Sequence, residues 1–195
     1  MEAPSLKMNW ESALNEAISM LLDHYRVNPA HREETPQRVV NAFKELMYGH
    51  LVDPRTILST AFEEGRYDQM IVVSNIDFVS LCEHHLLPFY GKVHFGYLPD
   101  KKIVGLSKIP RLVEALSRQA QVQECFTQQL ASIFQEVVTP LGCGAVVTAW
   151  HSCVAIRGVR KPNVNMRTVA LTGNFRNPDV KVEFLTAVRM NGEVT

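Results

Sequence analysis

The stretch Ser80-Leu81-Cys82-Glu83-His84-His85-Leu86-Leu87-Pro88-Phe89 places one thiol and two imidazoles within four residues, directly after an apolar run that reads as a strand. A second cluster, His151-Ser152-Cys153, follows about seventy residues later, again behind a strand-like run. If Cys82, His85 and Cys153 share one cation, two distant strand ends must converge, and few folds can arrange that. Two thiolates and an imidazole suit zinc better than magnesium or calcium, which prefer oxygen. Three protein ligands with an open fourth position are the pattern of a catalytic zinc site, whereas structural sites are usually closed by four. His84 and His151 exceed the ligand count, and an imidazole pKa of about 6.5 suits general acid–base work. Taken alone, Cys-x-x-His also has structural precedents. A buried free cysteine is commonly a small hydrophobe, which is the reading of Cys125 and Cys143. His24, His31, His50 and His94 read as ordinary surface or loop positions.

A length of 195 residues suits one domain, or one core with an appended subdomain. Net charge is zero, so no long-range pull on nucleic acid or an anionic membrane is expected. The N-terminal stretch lacks a basic segment followed by an apolar one, and no apolar run approaches a membrane span. A reducing, cytoplasmic setting is therefore expected, in which the four cysteines are thiols or metal ligands rather than disulfides.

Apolar residues at three-and-four spacing predict helices over 9–26 and, behind Thr35-Pro36, from Val39 to Met47, with a break at Asn28-Pro29. Residues 50–69 read as irregular, including the polar run Glu63-Glu64-Gly65-Arg66. From Met70 the chain turns β-rich, with strands at Met70–Val73, Ile76–Val79, Gly144–Trp150 and Val164–Thr172. Lys92–Leu98 and Ile103–Leu106 are expected to form a hairpin around Pro99-Asp100-Lys101-Lys102. Helices are predicted over 110–117, over 122–138, and after Asn177-Pro178-Asp179. The pattern is α+β: an N-terminal helical region, 1–69, and a region 70–195 with an antiparallel sheet and two packed helices, in one continuous domain overall.

Two polar segments stand between the cysteine clusters. Gly105-Leu106-Ser107-Lys108-Ile109-Pro110-Arg111 puts a hydroxyl, an amine and a guanidinium at a helix start, where free N–H groups favour anions; a solvated helix start is the bland alternative. Arg157 and Arg160 add positive charge just after Cys153. In Gln121-Val122-Gln123-Glu124 the carboxylate could cap a helix or read an N–H-rich purine edge.

Together these motifs resemble GTP cyclohydrolase I. Cys-Glu-His-His-Leu with Pro-Phe beyond, Gly-Leu-Ser-Lys-x-x-Arg, Gln-Val-Gln-Glu and His-x-Cys-x-x-x-Arg-Gly-Val stand in that family's order, over about Thr35 to Arg189. The resemblance implies the tunnelling fold (T-fold), here a sheet with two packed helices and an N-terminal helical hairpin. Sheets from several subunits would close an oligomeric barrel, usually a homodecamer of two stacked pentamers with active sites between subunits. It implies conversion of GTP and water to 7,8-dihydroneopterin triphosphate and formate. Cys82, His85 and Cys153 would hold Zn2+, which activates the water that adds to C8 of the guanine, and His84 and His151 would shuttle protons. Glu124, with Gln123 beside it, would hold the guanine edge. Ser107, Lys108, Arg111 and Arg157 would surround ribose and triphosphate, and Arg38 would reach the phosphates from a neighbouring subunit. Cys125 and the segment Asn165-Met166-Arg167-Thr168-Val169 depart from the family's commoner residues. A paralogue that binds a purine or pterin without full turnover, or stops at a ring-opened product, is the alternative.

Overall fold

The computed structural model describes residues 9–59, 61–62 and 67–190, so the Glu63–Arg66 run lies outside the described residues. Two compact units divide between Leu46 and Met47. In the first, helix α1 (Trp10–His24) begins where the Asn9 side chain accepts a hydrogen bond from the Glu11 N–H, 3.2 Å away. Helix α1 is broken before Asn28-Pro29, as expected, and the chain then makes one helical turn that the sequence reading did not include, α2 (Pro29–Arg32). The reason is local: the Asn28 side chain caps the Ala30 N–H at 3.0 Å, and proline takes the first helical position, where no N–H is needed. Helix α3 spans Thr35–Met47. Lys44 Nζ lies 3.0 Å from Glu11 Oε1, and Asn15 and Gln37 bond at 3.3 Å, so α1 and α3 run antiparallel as the expected hairpin.

The second unit opens with two 3-10 turns, Tyr48–Leu51 and Pro54–Leu58, within a stretch read as irregular. Its strands are β1 (Ala61–Phe62), β2 (Ile71–Cys82), β3 (Pro88–Leu98), β4 (Ile103–Val104), β5 (Ala120–Gln121), β6 (Gly142–His151) and β7 (Asn165–Leu171). Five form a sheet in the order β5-β2-β3-β6-β7, antiparallel throughout except for the two-residue β2–β5 pairing. The two β-rich runs at Met70–Val73 and Ile76–Val79 are one strand, joined through a bulge where Asn75 takes φ +60°. The expected hairpin between Lys92–Leu98 and Ile103–Leu106 does not form. Both edges of β3 are already paired, with β2 and β6, so β4 has no ladder there and joins β1 in a separate two-stranded sheet. The Val104 N–H donates to the Tyr97 hydroxyl instead, at 3.3 Å.

Alternation along the strands sorts the core into two layers. One face carries Phe78, Phe89, Val93, Phe95, Ala145 and Val147, which pack under helices α4 (Lys108–Ser117) and α5 (Gln123–Val138). The other face carries Val146 and packs with Phe175 and with Phe184 of α7 (Pro178–Met190). Two readings of single residues are corrected here. His94, expected at the surface, is buried in the middle of β3, 7% exposed, because it faces Val146 across the β3–β6 ladder. Cys125, expected in the core, is exposed on α5, since its neighbour Phe126 takes the inward position. Cys143 is buried as expected, and burial pushes its thiol pKa up to about 12.

Candidate metal centre

Strand β2 ends at Cys82, and the following turn is fixed by its backbone. The His85 and Leu86 N–H groups both donate to the Cys82 carbonyl, at 3.2 and 2.8 Å, while the Cys82 N–H donates to the Leu87 carbonyl at 2.8 Å. Leu86 takes φ +51° to close this loop, a left-handed conformation that costs a side-chain-bearing residue roughly 1–2 kcal/mol. The Glu83 N–H donates to the Gln121 carbonyl at 3.0 Å, fastening the turn to β5.

The second cluster arrives by register. Phe89 pairs with His151 across the β3–β6 ladder, so the last residue of β6 lies beside the loop that precedes β3. Ser152 then donates to the Pro88 carbonyl at 2.5 Å, tying the short turn α6 (Ser152–Ala155) to the head of β3. Cys153 thus enters from a helical turn, and the ligand atoms of Cys82, His85 and Cys153 all lie within 4.8 Å of one another. Cys82 Sγ is 3.7 Å from His85 Nδ1. The donor set fits zinc: two soft sulfurs and a borderline nitrogen, one group buried, one half-buried and one exposed. Burial raises the Cys153 thiol pKa, and the adjacent Cys82 thiol raises it further. Two thiols held this close are a poor arrangement for hydrogen and a good one for a cation, which deprotonates a coordinating thiol outright.

Both surplus histidines border the cluster. The exposed His84 ring lies 6.3 Å from the His85 ring, nearly perpendicular to it. His151 stacks on Phe89, with ring centroids 4.6 Å apart and planes within 5°, and its Nε2 lies 2.7 Å from Gln123 Oε1. Burial lowers the His151 pKa, and the Glu124 carboxylate at the start of α5 opposes that shift. Glu124 is exposed, whereas Gln123 is 1% exposed and donates its amide hydrogens to Val147, Met166 and Thr168. Arg157 Nη1 lies 3.2 Å from His85 Nε2, so a residue expected at the phosphates stands at the ligand cluster itself.

Ser107, Lys108 and Arg111 sit at the N-terminal turn of α4, where Ser107 occupies the cap position without a side-chain bond. Their side chains make no hydrogen bond or ion pair among the described residues, and none joins them to the cluster. Arg38 belongs to the first unit, exposed on α3 and ion-paired with Glu34 one turn away. Two contributors went unread in the sequence, Phe89 as the platform for His151 and Ser152 as the fastener of α6. Pairing the strand that follows Cys82 with the strand that precedes Cys153 is the signal that could have found both.

The family model for GTP cyclohydrolase I matches residues 14–189. The chain is 45% identical over 181 residues to GTP cyclohydrolase 1 of Wolinella succinogenes, a match covering 91% of this chain and 96% of that protein. It is 43% identical over 187 residues to GTP cyclohydrolase 1 of Campylobacter lari, covering 94% and 98% respectively. Among solved structures it is similar to the archaeosine synthase QueF-Like in the apo form, with a TM-score of 0.43 and 15% identity, over 53% of this chain and 93% of that one. With the family model running through helices and sheet alike, and relatives more than 40% identical along nearly their whole length, this chain belongs to the GTP cyclohydrolase I family.

Proposed function

We propose that zinc, held by Cys82, His85 and Cys153, serves the reaction of this family, with His84 and His151 transferring protons and Glu124 reading the base. The chain is a GTP cyclohydrolase I: it converts GTP and water to 7,8-dihydroneopterin triphosphate and formate, the first step of pterin and folate-type biosynthesis. The observation that carries the metal reading is the gathering of two thiols and one imidazole within 4.8 Å, from segments that follow two different strands at one end of the sheet. Bound there, zinc would supply Lewis acidity, lowering the pKa of water to about 7 and so providing a nucleophile near neutral pH.

The remaining work falls to side chains. Glu124, exposed beside His151, accepts the guanine N1–H and 2-amino hydrogens and sets the base in place. His84 and His151 accept and return protons as the imidazole ring of the purine opens and formate leaves. Ser107, Lys108, Arg111 and Arg157 hold the ribose and triphosphate, and that remote binding helps position C8 for attack. Arg38 contributes from a neighbouring subunit. Homo-oligomerisation, as a decamer of two pentamers in the cytoplasm, completes the proposal. It is supported by the outer edge of β7, which has no further strand beside it among the described residues, and by apolar residues exposed on α1, including Trp10, Leu21 and Met20.

Incubation of zinc-loaded protein with GTP, with metal content measured on the same sample, tests this reading. Formate and, after oxidation, a fluorescent pterin are expected. Zinc-loaded protein that binds GTP and releases neither product would overturn it.

A further inference from the structure

The amide of Gln123 is buried and fully committed, so its contacts can be read as a directed circuit. Gln123 Nε2 lies 3.1 Å from each of three acceptors: the Val147 carbonyl of β6, the Met166 carbonyl of β7 and the Thr168 hydroxyl. Two of these are backbone carbonyls, which can only accept, so the NH2 end of the amide must face them. Oε1 therefore faces His151, 2.7 Å from Nε2. The hydroxyls agree with this polarity. Thr127 spends its one O–H on the Gln123 carbonyl at 2.7 Å, so in the 2.6 Å contact between Thr127 and Thr168 it is Thr168 that donates. The Thr168 oxygen is left to accept from Gln123. Every direction in the circuit descends from a main-chain carbonyl, and reversing the amide would set its oxygen against two of them.

We propose that Gln123 is a positioning residue for His151: it holds the neutral imidazole as the Nε2–H tautomer and so makes Nδ1 the atom that accepts a proton. An amide oxygen cannot donate, so a 2.7 Å contact with Oε1 is a hydrogen bond only when Nε2 carries the hydrogen. Phe89, stacked 4.6 Å away and nearly parallel, restricts the ring to this plane. A flip about χ2 would present a C–H to Oε1 in place of N–H. In a free histidine the two tautomers interchange readily; here one of them would set a nitrogen lone pair against an oxygen lone pair in a buried site. The inference rests on His151 being a proton-transfer group, and it adds which of its nitrogens does the work and what decides it. It also separates neighbours in sequence: Glu124 is turned outward, while Gln123 has no amide atom left for a ligand.

The test is made on full-length, zinc-loaded protein labelled with 15N-histidine, the His151 signals being identified by their absence in His151→Ala. Ring-nitrogen shifts in the unaltered protein should show Nε2 protonated and Nδ1 bare. In Gln123→Leu the shifts should move toward a tautomer mixture, kcat should fall about 10- to 100-fold, and the KM for GTP and the zinc content should stay within about threefold, since general acid–base contributions of 10²–10⁴ are only partly lost when the base persists in the wrong tautomer. A protonated Nδ1 in the unaltered protein overturns the proposal. So does a Gln123→Leu protein with mixed tautomers and unchanged kcat. Should Gln123→Leu fail to fold, the spectrum of the unaltered protein decides alone. Full turnover in His151→Ala would instead remove the reading of His151 on which the inference stands, and is recognised separately.

Discussion

Cys153 and His151 are two residues apart, yet they answer to different neighbours. Cys153 faces Cys82 and His85, whereas His151 is held by Phe89 and Gln123. Their substitutions should therefore part company. Cys153→Ala is expected to lose zinc and turnover together, because removing one of three protein ligands leaves no stable site. His151→Ala should keep its zinc and lose at least about 10²-fold in kcat, the lower end for removal of a general acid–base group. Metal analysis beside steady-state kinetics checks both, and an empty site in His151→Ala would mean that the ligands are misassigned. At this scale the candidate residues were legible because Cys, His and paired cations are rare and chemically distinctive. What could not be read was which of them point at one another. Arg157 illustrates the gap: its sequence position suggests phosphate, and its guanidinium lies against His85.

At the scale of elements, the β3–β6 ladder sets the site, because its end pairs Phe89 with His151. Gly91 marks how closely these strands approach. A Cβ there would stand 1.9 Å from the Thr148 carbonyl oxygen, a main-chain atom that cannot move aside. Gly91→Ala is expected to cost more than about 3 kcal/mol, read as a fall in the denaturation midpoint. Gly96→Ala should cost less, since its Cβ meets the Phe184 ring at 2.7 Å, and a side chain can give way. His94, in the middle of the same ladder, supplies a pH-dependence. Burial lowers its pKa, and the positive charges of Arg167 and Lys92 lower it further, while the nearby Asp77 carboxylate is paired with Lys92 at 2.6 Å. The unfolded chain thus takes up this proton first. The contribution of neutral His94 is present above its unfolded pKa of about 6.5 and is lost as pH falls below it. His94→Gln should flatten the decline in urea midpoint between about pH 7.5 and 5.5; an unchanged slope would assign that decline to other groups. Sequence periodicity found the longer helices and most strands here and missed the one-turn helices α2 and α6, and it misplaced β4, because a local turn signal says nothing about whether the partner edge is already occupied.

For the whole molecule, the unfinished features are at the margins. Among the described residues strand β7 pairs only with β6, which leaves its outer edge without a neighbouring strand. Helix α1 buries none of its residues and exposes Trp10 at 52%, Met20 at 66% and Leu21 at 51%. Unpaired edges and an apolar helix face are both costly in water, and assembly removes both. Light scattering on the purified protein should give a mass near ten times the 22.0-kDa chain. A monomer with full turnover would dispose of the assembly.

The sequence by itself determined the chemical inventory: which thiols and imidazoles were available, how many exceeded a ligand set, and which helices and strands carried them, since these depend on residue type and local spacing. Only the tertiary structure decided that Cys82, His85 and Cys153 meet, that His94 is interior, and that Gln123 turns inward while Glu124 turns out. The first two depend on strand register, where a shift of one residue reverses every side chain's face, and the third on which face α5 lays against the sheet. Register is settled by pairing between segments far apart in the chain, which no local pattern records.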